Sequence, residues 1–189
     1  MDALECILNG KVILLQTDTL WGLSCDATNT TAVRRIFTLK RRPEEAAVLL
    51  LASDYDMLDE YAVLDENIDY EALTGISLIL RHKPDSRLSP LVCKGETICV
   101  RIPDSKFMRE FVSDFGKPIV STSANIHSHT SPASLDEIDE SIRSGVCTTL
   151  ANPDYDGTPI PSTIIDLSSG APKIIRVGKK IDIAKEALF

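Results

Sequence analysis

Seven short apolar runs recur along the chain: KVILLQ (11–16), AVLLLA (47–52), ISLIL (76–80), TICVRI (97–102), PIVS (118–121), STIIDL (162–167) and KIIRV (173–177). Each is too short for a helix, rich in β-branched residues and bounded by turn formers, so each predicts a strand. Between them lie helical patterns. TTAVRRIFTLKR (30–41) is one, SDYDMLDEY (53–61) begins at Ser53 as N-cap, DSKFMREFVSDF (104–115) stops at Gly116, and SLDEIDESIR (134–143) opens with Ser134 and Glu137 in capping-box spacing. The alternation predicts an α/β fold with a twisted mixed sheet and flanking helices. TICVRI alternates apolar and polar residues, as a strand with one wetter face would.

A length of 189 residues with 43% apolar content suits one domain. The loop-like stretches 127–134 and 151–162 are too short to separate domains, so residues 1–189 read as a single unit. A net charge of -8 and a pI near 4.9 argue against a surface that grips nucleic acid throughout, so any polyanion site must be local. No run of about 18 apolar residues is present for a membrane span. The opening MDALECILNGKVILL carries acids where a secretory signal would be basic, and the chain reads as cytosolic. Five cysteines, odd in number and without a CxxC spacing, predict reduced and mostly buried thiols.

GKPIVSTSAN (116–125) drives a strand into Ser121, Thr122, Ser123 and Asn125. Hydroxyls and an amide packed this densely are good ligand material, because each needs a hydrogen-bond partner once buried. A period of two would place Ser121, Ser123 and Asn125 on one side. In the helix at 30–41, Lys40 continues the apolar stripe of Val33, Ile36 and Phe37, and a lysine there needs an anion. Pro43 biases Arg42 toward an extended conformation, where its guanidinium can meet phosphate or carboxylate. Thr31 to Pro43 holds five basic residues and no acid. A solvated basic helix end is an equally simple explanation for Arg34, Arg35 and Arg41.

QTDTLWGLSCDA (16–27) ends the first strand in Thr17 and Thr19 on one side, with Gly22 as a turn residue and Asp18 able to bond its own backbone. PSTIIDL (161–167) places Ser162 at a strand start, while RVG (176–178) puts Arg176 at a strand end, where Arg81 and Arg101 also lie. His127 and His129 lack matched cysteines or carboxylates and make a poor zinc set. GxSxG, P-loop and GxGxxG motifs are all absent.

QTDTLWGLSCDA, KRRP, STSAN, PSTIIDL and RVG, in this order across residues 11–178, resemble the YrdC-like threonylcarbamoyl-AMP synthase family. ALTGIS at 72–77 stands where that family carries WPGPxT. The resemblance implies a deep, locally positive cleft and a reaction joining L-threonine, bicarbonate or CO2, and ATP. Its product would be threonylcarbamoyl-AMP, with pyrophosphate released and Mg2+ accompanying the ATP. Downstream tRNA threonylcarbamoyl-transfer proteins would use the product for t6A37 modification.

Carried over by motif, Lys40 and Arg42 would act on the triphosphate as the catalytic pair, with Ser77, Asn125 and Arg176 also binding ATP. Thr17, Arg81, Ser123 and Ser162 would hold threonine, and no protein-bound metal is implied. A second reading is a YciO-type paralogue or RNA-binding module that keeps the cleft without synthase activity, motivated by ALTGIS and the basic cluster from Arg34 to Arg42. It would bring direct contact with tRNA or double-stranded RNA.

Overall fold

The structure, a computed structural model, describes residues 1–188. Its strands are β1 (Ile13–Gln16), β2 (Trp21–Asp26), β3 (Leu49–Leu51), β4 (Ser77–Arg81), β5 (Thr97–Arg101), β6 (Ile119–Ser123), β7 (Thr149–Leu150), β8 (Ile164–Asp166) and β9 (Lys173–Arg176). They form one mixed sheet in the order β7-β1-β2-β6-β3-β5-β4-β8-β9. The pairs β1/β7, β3/β5 and β4/β8 are parallel, and the remaining neighbours are antiparallel.

The helices are α1 (Ala3–Leu8), α2 (Thr30–Lys40), α3 (Tyr55–Tyr61), α4 (Lys106–Phe115), α5 (Glu140–Arg143) and α6 (Ile181–Leu188). Alternation along the strands splits the core in two. Leu14, Leu23, Leu50, Leu78, Ile98, Val100, Val120 and Ile165 point to one face, where Val33, Ile36 and Phe37 of α2 pack on them. Ile13, Leu15, Leu51 and Ile119 point to the other, against Ile7 of α1 and Met108, Val112 and Phe115 of α4. The first face is covered from β1 to β8, whereas α1 and α4 cover the second around β1, β2, β3 and β6. The uncovered part of the second face becomes the cleft.

Helix ends differ from the sequence reading where a stronger cap stands nearby. α3 is capped by Asp54, whose carboxylate accepts from Met57 N at 2.8 Å, so Ser53 lies one residue outside. The segment 134–143 is broken: a 3-10 turn covers Leu135–Glu137, Ser134 makes no side-chain cap, and Asp139 caps α5 by accepting from Ser141 N at 2.8 Å. α2 ends at Arg41, a non-glycine residue at φ 49°, so the turn that frees Arg42 is made one residue before the one that Pro43 restrains. Sequence periodicity missed β2 and β7, and it missed α1 and α6, which lie at the two ends of the chain. No described helix is long and apolar enough to cross a membrane.

The expectation of reduced cysteines is corrected at two positions. Cys6 of α1 and Cys147, just before β7, form a disulfide across 141 residues of sequence; Cys25, Cys93 and Cys99 are free. An odd count hides a pair when partners lie this far apart, because spacing carries no signal for it. The bond backs up a short edge: β7 pairs with β1 through Thr149 and Leu150 only, helped by Cys147 N donating to Val12 O at 2.8 Å.

Closing so long a loop restricts the unfolded chain and stabilises by about 2–4 kcal/mol. Cys147→Ser, or a reductant, should therefore lower the melting temperature by roughly 5–15 °C in a thermal scan. Equal melting of the wild type with and without reductant would refute the bond.

Candidate active site

A cleft of about 390 Å³ opens on the uncovered face, a size suited to a small ligand. Its floor follows from register. Gly22 lies opposite Ser123, Ser121 opposite Leu49, and Leu49 opposite Cys99, all on the face that α1 and α4 leave bare. Gly22 is a mid-strand residue, not a turn residue as expected. A Cβ there would stand 2.9 Å from Ser121 Oγ and 3.3 Å from Thr122 O, so the absence of a side chain keeps the floor open.

The turn before β2 is tied by Thr17. Its Oγ1 donates to Leu20 O at 2.8 Å and accepts from the N–H groups of Thr19 and Leu20, both at 3.1 Å. Asp18 is thereby free of turn duty, and its carboxylate bonds outside its own turn. Its carboxylate accepts from Arg101 Nη2 and from Asp104 N, both at 2.9 Å. Arg101 is 2% exposed, donates from Nη1 to Thr19 Oγ1 at 3.2 Å, and keeps an unpartnered buried Nε.

Arg42 donates from Nη1 to Thr122 Oγ1 at 3.1 Å and from Nη2 to Ala47 O at 2.5 Å, leaving its Nε also unpartnered. Arg176 reaches Ser162 O from Nε at 3.0 Å and Nη2 at 2.7 Å, and Ser162 Oγ lies 2.7 Å from Ser77 Oγ. Burial lowers the pKa of Arg42 and of Arg176, yet guanidinium stays charged near neutral pH. Burial pushes the Cys99 thiol up to about 12, against the pull of Arg176 and Arg101, so it is a neutral wall and a poor nucleophile. Behind the wall formed by Pro161 and Ser162 sits Gly178, where a Cβ would stand 2.2 Å from Pro161 O.

Of the residues named from sequence, the cleft gathers Thr17, Arg42, Ser77, Ser123, Ser162 and Arg176. Lys40 and Asn125 do not line it. Lys40 Nζ donates to Ser123 O, to Asn125 O at 2.8 Å and to Asn125 Oδ1 at 3.2 Å. Burial, then the charge of Arg42, pulls its pKa down to about 7, while the three oxygen acceptors favour the ammonium.

Arg81 is corrected outright. It shares a face with Ser77 but is exposed at the other end of β4, four residues or about 13 Å along the strand. Arg101, unlike Arg81, lines the cleft. The signal for it was the alternation of TICVRI, which sets Thr97, Cys99 and Arg101 opposite the apolar Ile98 and Val100. Thr19, Ser121, Thr122 and Ser131 also line the cleft.

A sequence model of the Sua5/YciO/YrdC family, described as "Telomere recombination", matches residues 5–178. The chain belongs to the Sua5/YciO/YrdC family. A relative within it, the threonylcarbamoyl-AMP synthase of Pseudoalteromonas translucida, is 32% identical over 175 residues, covering 89% of this chain and 92% of that protein. The structure of P. abyssi Sua5 complexed with L-threonine superposes with a TM-score of 0.80 at 26% identity, over 93% of this chain and 53% of the Sua5 chain. This family member thus spans about half the length of that Sua5. E. coli YciO shares the fold, with a TM-score of 0.78 at 23% identity over 94% of this chain and 87% of its own.

The pair Arg101–Asp18 is nearly removed from water, with side chains 1% and 8% exposed. Arg101→Met leaves Asp18 buried and unpaired, which should cost about 3–5 kcal/mol in urea unfolding. Arg101→Met combined with Asp18→Asn should recover part of that loss. A single variant as stable as the wild type would count against the buried pair.

Proposed function

We propose that the chain is an L-threonylcarbamoyladenylate synthase, a nucleotidyltransferase that makes threonylcarbamoyl-AMP and pyrophosphate from L-threonine, bicarbonate or CO2, and ATP. The observation that carries this reading is the cleft's composition. Arg42, Arg101 and Arg176 line it beside six hydroxyl-bearing residues of the β-strands and the β1–β2 turn: Thr17, Thr19, Ser77, Ser121, Thr122 and Ser123. No Asp, Glu or His does so among the described residues.

Such a site suits a reaction that needs positioning and charge stabilisation more than a covalent nucleophile. The neutral threonine amine adds to the one-carbon unit to give a carbamate, releasing a proton to solvent when the source is CO2 and a water molecule when it is bicarbonate. A carbamate oxygen then attacks the α-phosphorus in line, and pyrophosphate leaves with its electron pair. Arg42 and Arg176, on opposite walls, suit the phosphates as bidentate donors. Arg101, fixed by Asp18 through Nη2 and by Thr19 through Nη1, adds a positive charge to the cleft floor that suits the amino-acid carboxylate. Mg2+ would arrive with the nucleotide and neutralise phosphate charge, since no Asp or Glu among the described residues lines the cleft to hold it. The reading places proteins that transfer the threonylcarbamoyl group to tRNA downstream.

Purified protein given ATP, L-threonine and bicarbonate should release pyrophosphate only when all three are present, with threonylcarbamoyl-AMP seen by mass spectrometry. Pyrophosphate release indifferent to threonine would sink the reading. Arg42→Met removes a charged hydrogen-bonding group from the triphosphate, and ATP affinity measured by calorimetry should fall about 10- to 100-fold.

A further inference from the structure

We infer that Lys40 and Asn125 are positioning residues, a buried pin that holds the Ser123–His129 turn against the end of α2, and that neither touches the nucleotide. Lys40 is 2% exposed and Asn125 is half-buried, and both are absent from the cleft lining although Arg42 and Ser123, each two residues away, belong to it. An ammonium has three protons, and the Lys40 Nζ has three oxygen acceptors: Ser123 O, Asn125 O and Asn125 Oδ1. Asn125 is equally committed, since its Oδ1 also accepts from Ser123 Oγ at 2.5 Å and its Nδ2 donates to His129 O at 2.5 Å.

The backbone closes the same junction, with His127 N donating to Lys40 O at 2.8 Å. Swinging Lys40 out to a phosphate would strip acceptors that lie away from water, a cost with no return at a site where Arg42 already presents a cation. The pin instead sets the position of Ser123 and, beyond the turn, of Ser131, both of which line the cleft.

The ligand arm of the test rests on the synthase reading; the exchange arm does not. Amide hydrogen exchange of Lys40→Met without ligand should speed up at residues 123–131 by about tenfold or more, with α2 protected as before. Unchanged exchange there overturns the pin. Should Lys40→Met fail to fold, Asn125→Ala carries the same measurement.

ATP binding then separates positioning from contact. Asn125→Asp gives up the Nδ2 bond to His129 O and so loosens Ser123, but its carboxylate sits beside Lys40 and away from the ligand, so the salt dependence of ATP binding should stay that of wild type whatever the change in affinity. A carboxylate facing a triphosphate would instead flatten the salt dependence by offsetting the cations around the phosphates, and that result overturns the proposal. The salt dependence of ATP binding should be the same in Lys40→Met as in wild type, whereas Arg42→Met should flatten it. Equal flattening by both variants makes Lys40 a phosphate ligand and overturns the pin. If the wild type binds no ATP, the synthase reading fails while the exchange arm still decides the pin.

Discussion

Because successive side chains in a strand point to opposite faces, every strand here divides its residues between two environments, and the cleft depends on that division. In β5, Ile98 and Val100 enter the core while Cys99 and Arg101 face the ligand space. In β6, Val120 goes to one core and Ile119 to the other, and Ser121 and Ser123 continue the Ile119 side past the point where α4 covers it. A slip of one residue in either strand would bury the polar set and expose the apolar one. Binding surface and core are thus written in the same strands, and α1 and α4 decide by their reach where one becomes the other.

The cations of the cleft are held by different means. Arg101 has a carboxylate partner in Asp18, whereas Arg42 and Arg176 rest on neutral oxygens of Thr122, Ala47 and Ser162. Partial desolvation without a counter-ion leaves their charge uncompensated, which is the condition under which an arriving anion gains most. Arg101 is the reverse case, positioned by its partner and with its Nε buried. The neutral thiol of Cys99, between Arg101 and Arg176 in its electrostatic surroundings, adds no negative charge to compete with a ligand.

Much of this was readable from the chain. Short apolar runs marked seven of the nine described strands, and the stripe from Val33 to Lys40 marked the face that α2 buries. β2 was obscured because WGLSCD carries a glycine and a serine, and its meaning lies in the close approach of Gly22 to Ser121, a contact between distant segments. The motifs collected most of the cleft, yet motif membership does not distinguish a residue that faces a ligand from one that faces its own backbone. Lys40 and Asn125 fall in the second class. Arg81 was misplaced because parity along β4 fixes a side chain's face and says nothing of how far along the strand the ligand extends. The Cys6–Cys147 bond left no local trace at all.

That bond makes residues 6 to 147 a covalent ring. The ring contains the Thr17 turn, Arg42, Arg101 and the Ser123 turn, while Ser162 and Arg176 lie on the tail outside it. A single backbone nick inside the ring, for example in the exposed acidic stretch around Asp65–Asn67, leaves one covalent molecule, and its fragments separate only after reduction. A nick in the 151–161 loop, by contrast, would detach the Ser162–Arg176 wall from everything but noncovalent contacts. The two walls of the cleft therefore differ in how they survive proteolysis, one closed on itself and the other dependent on an intact strap.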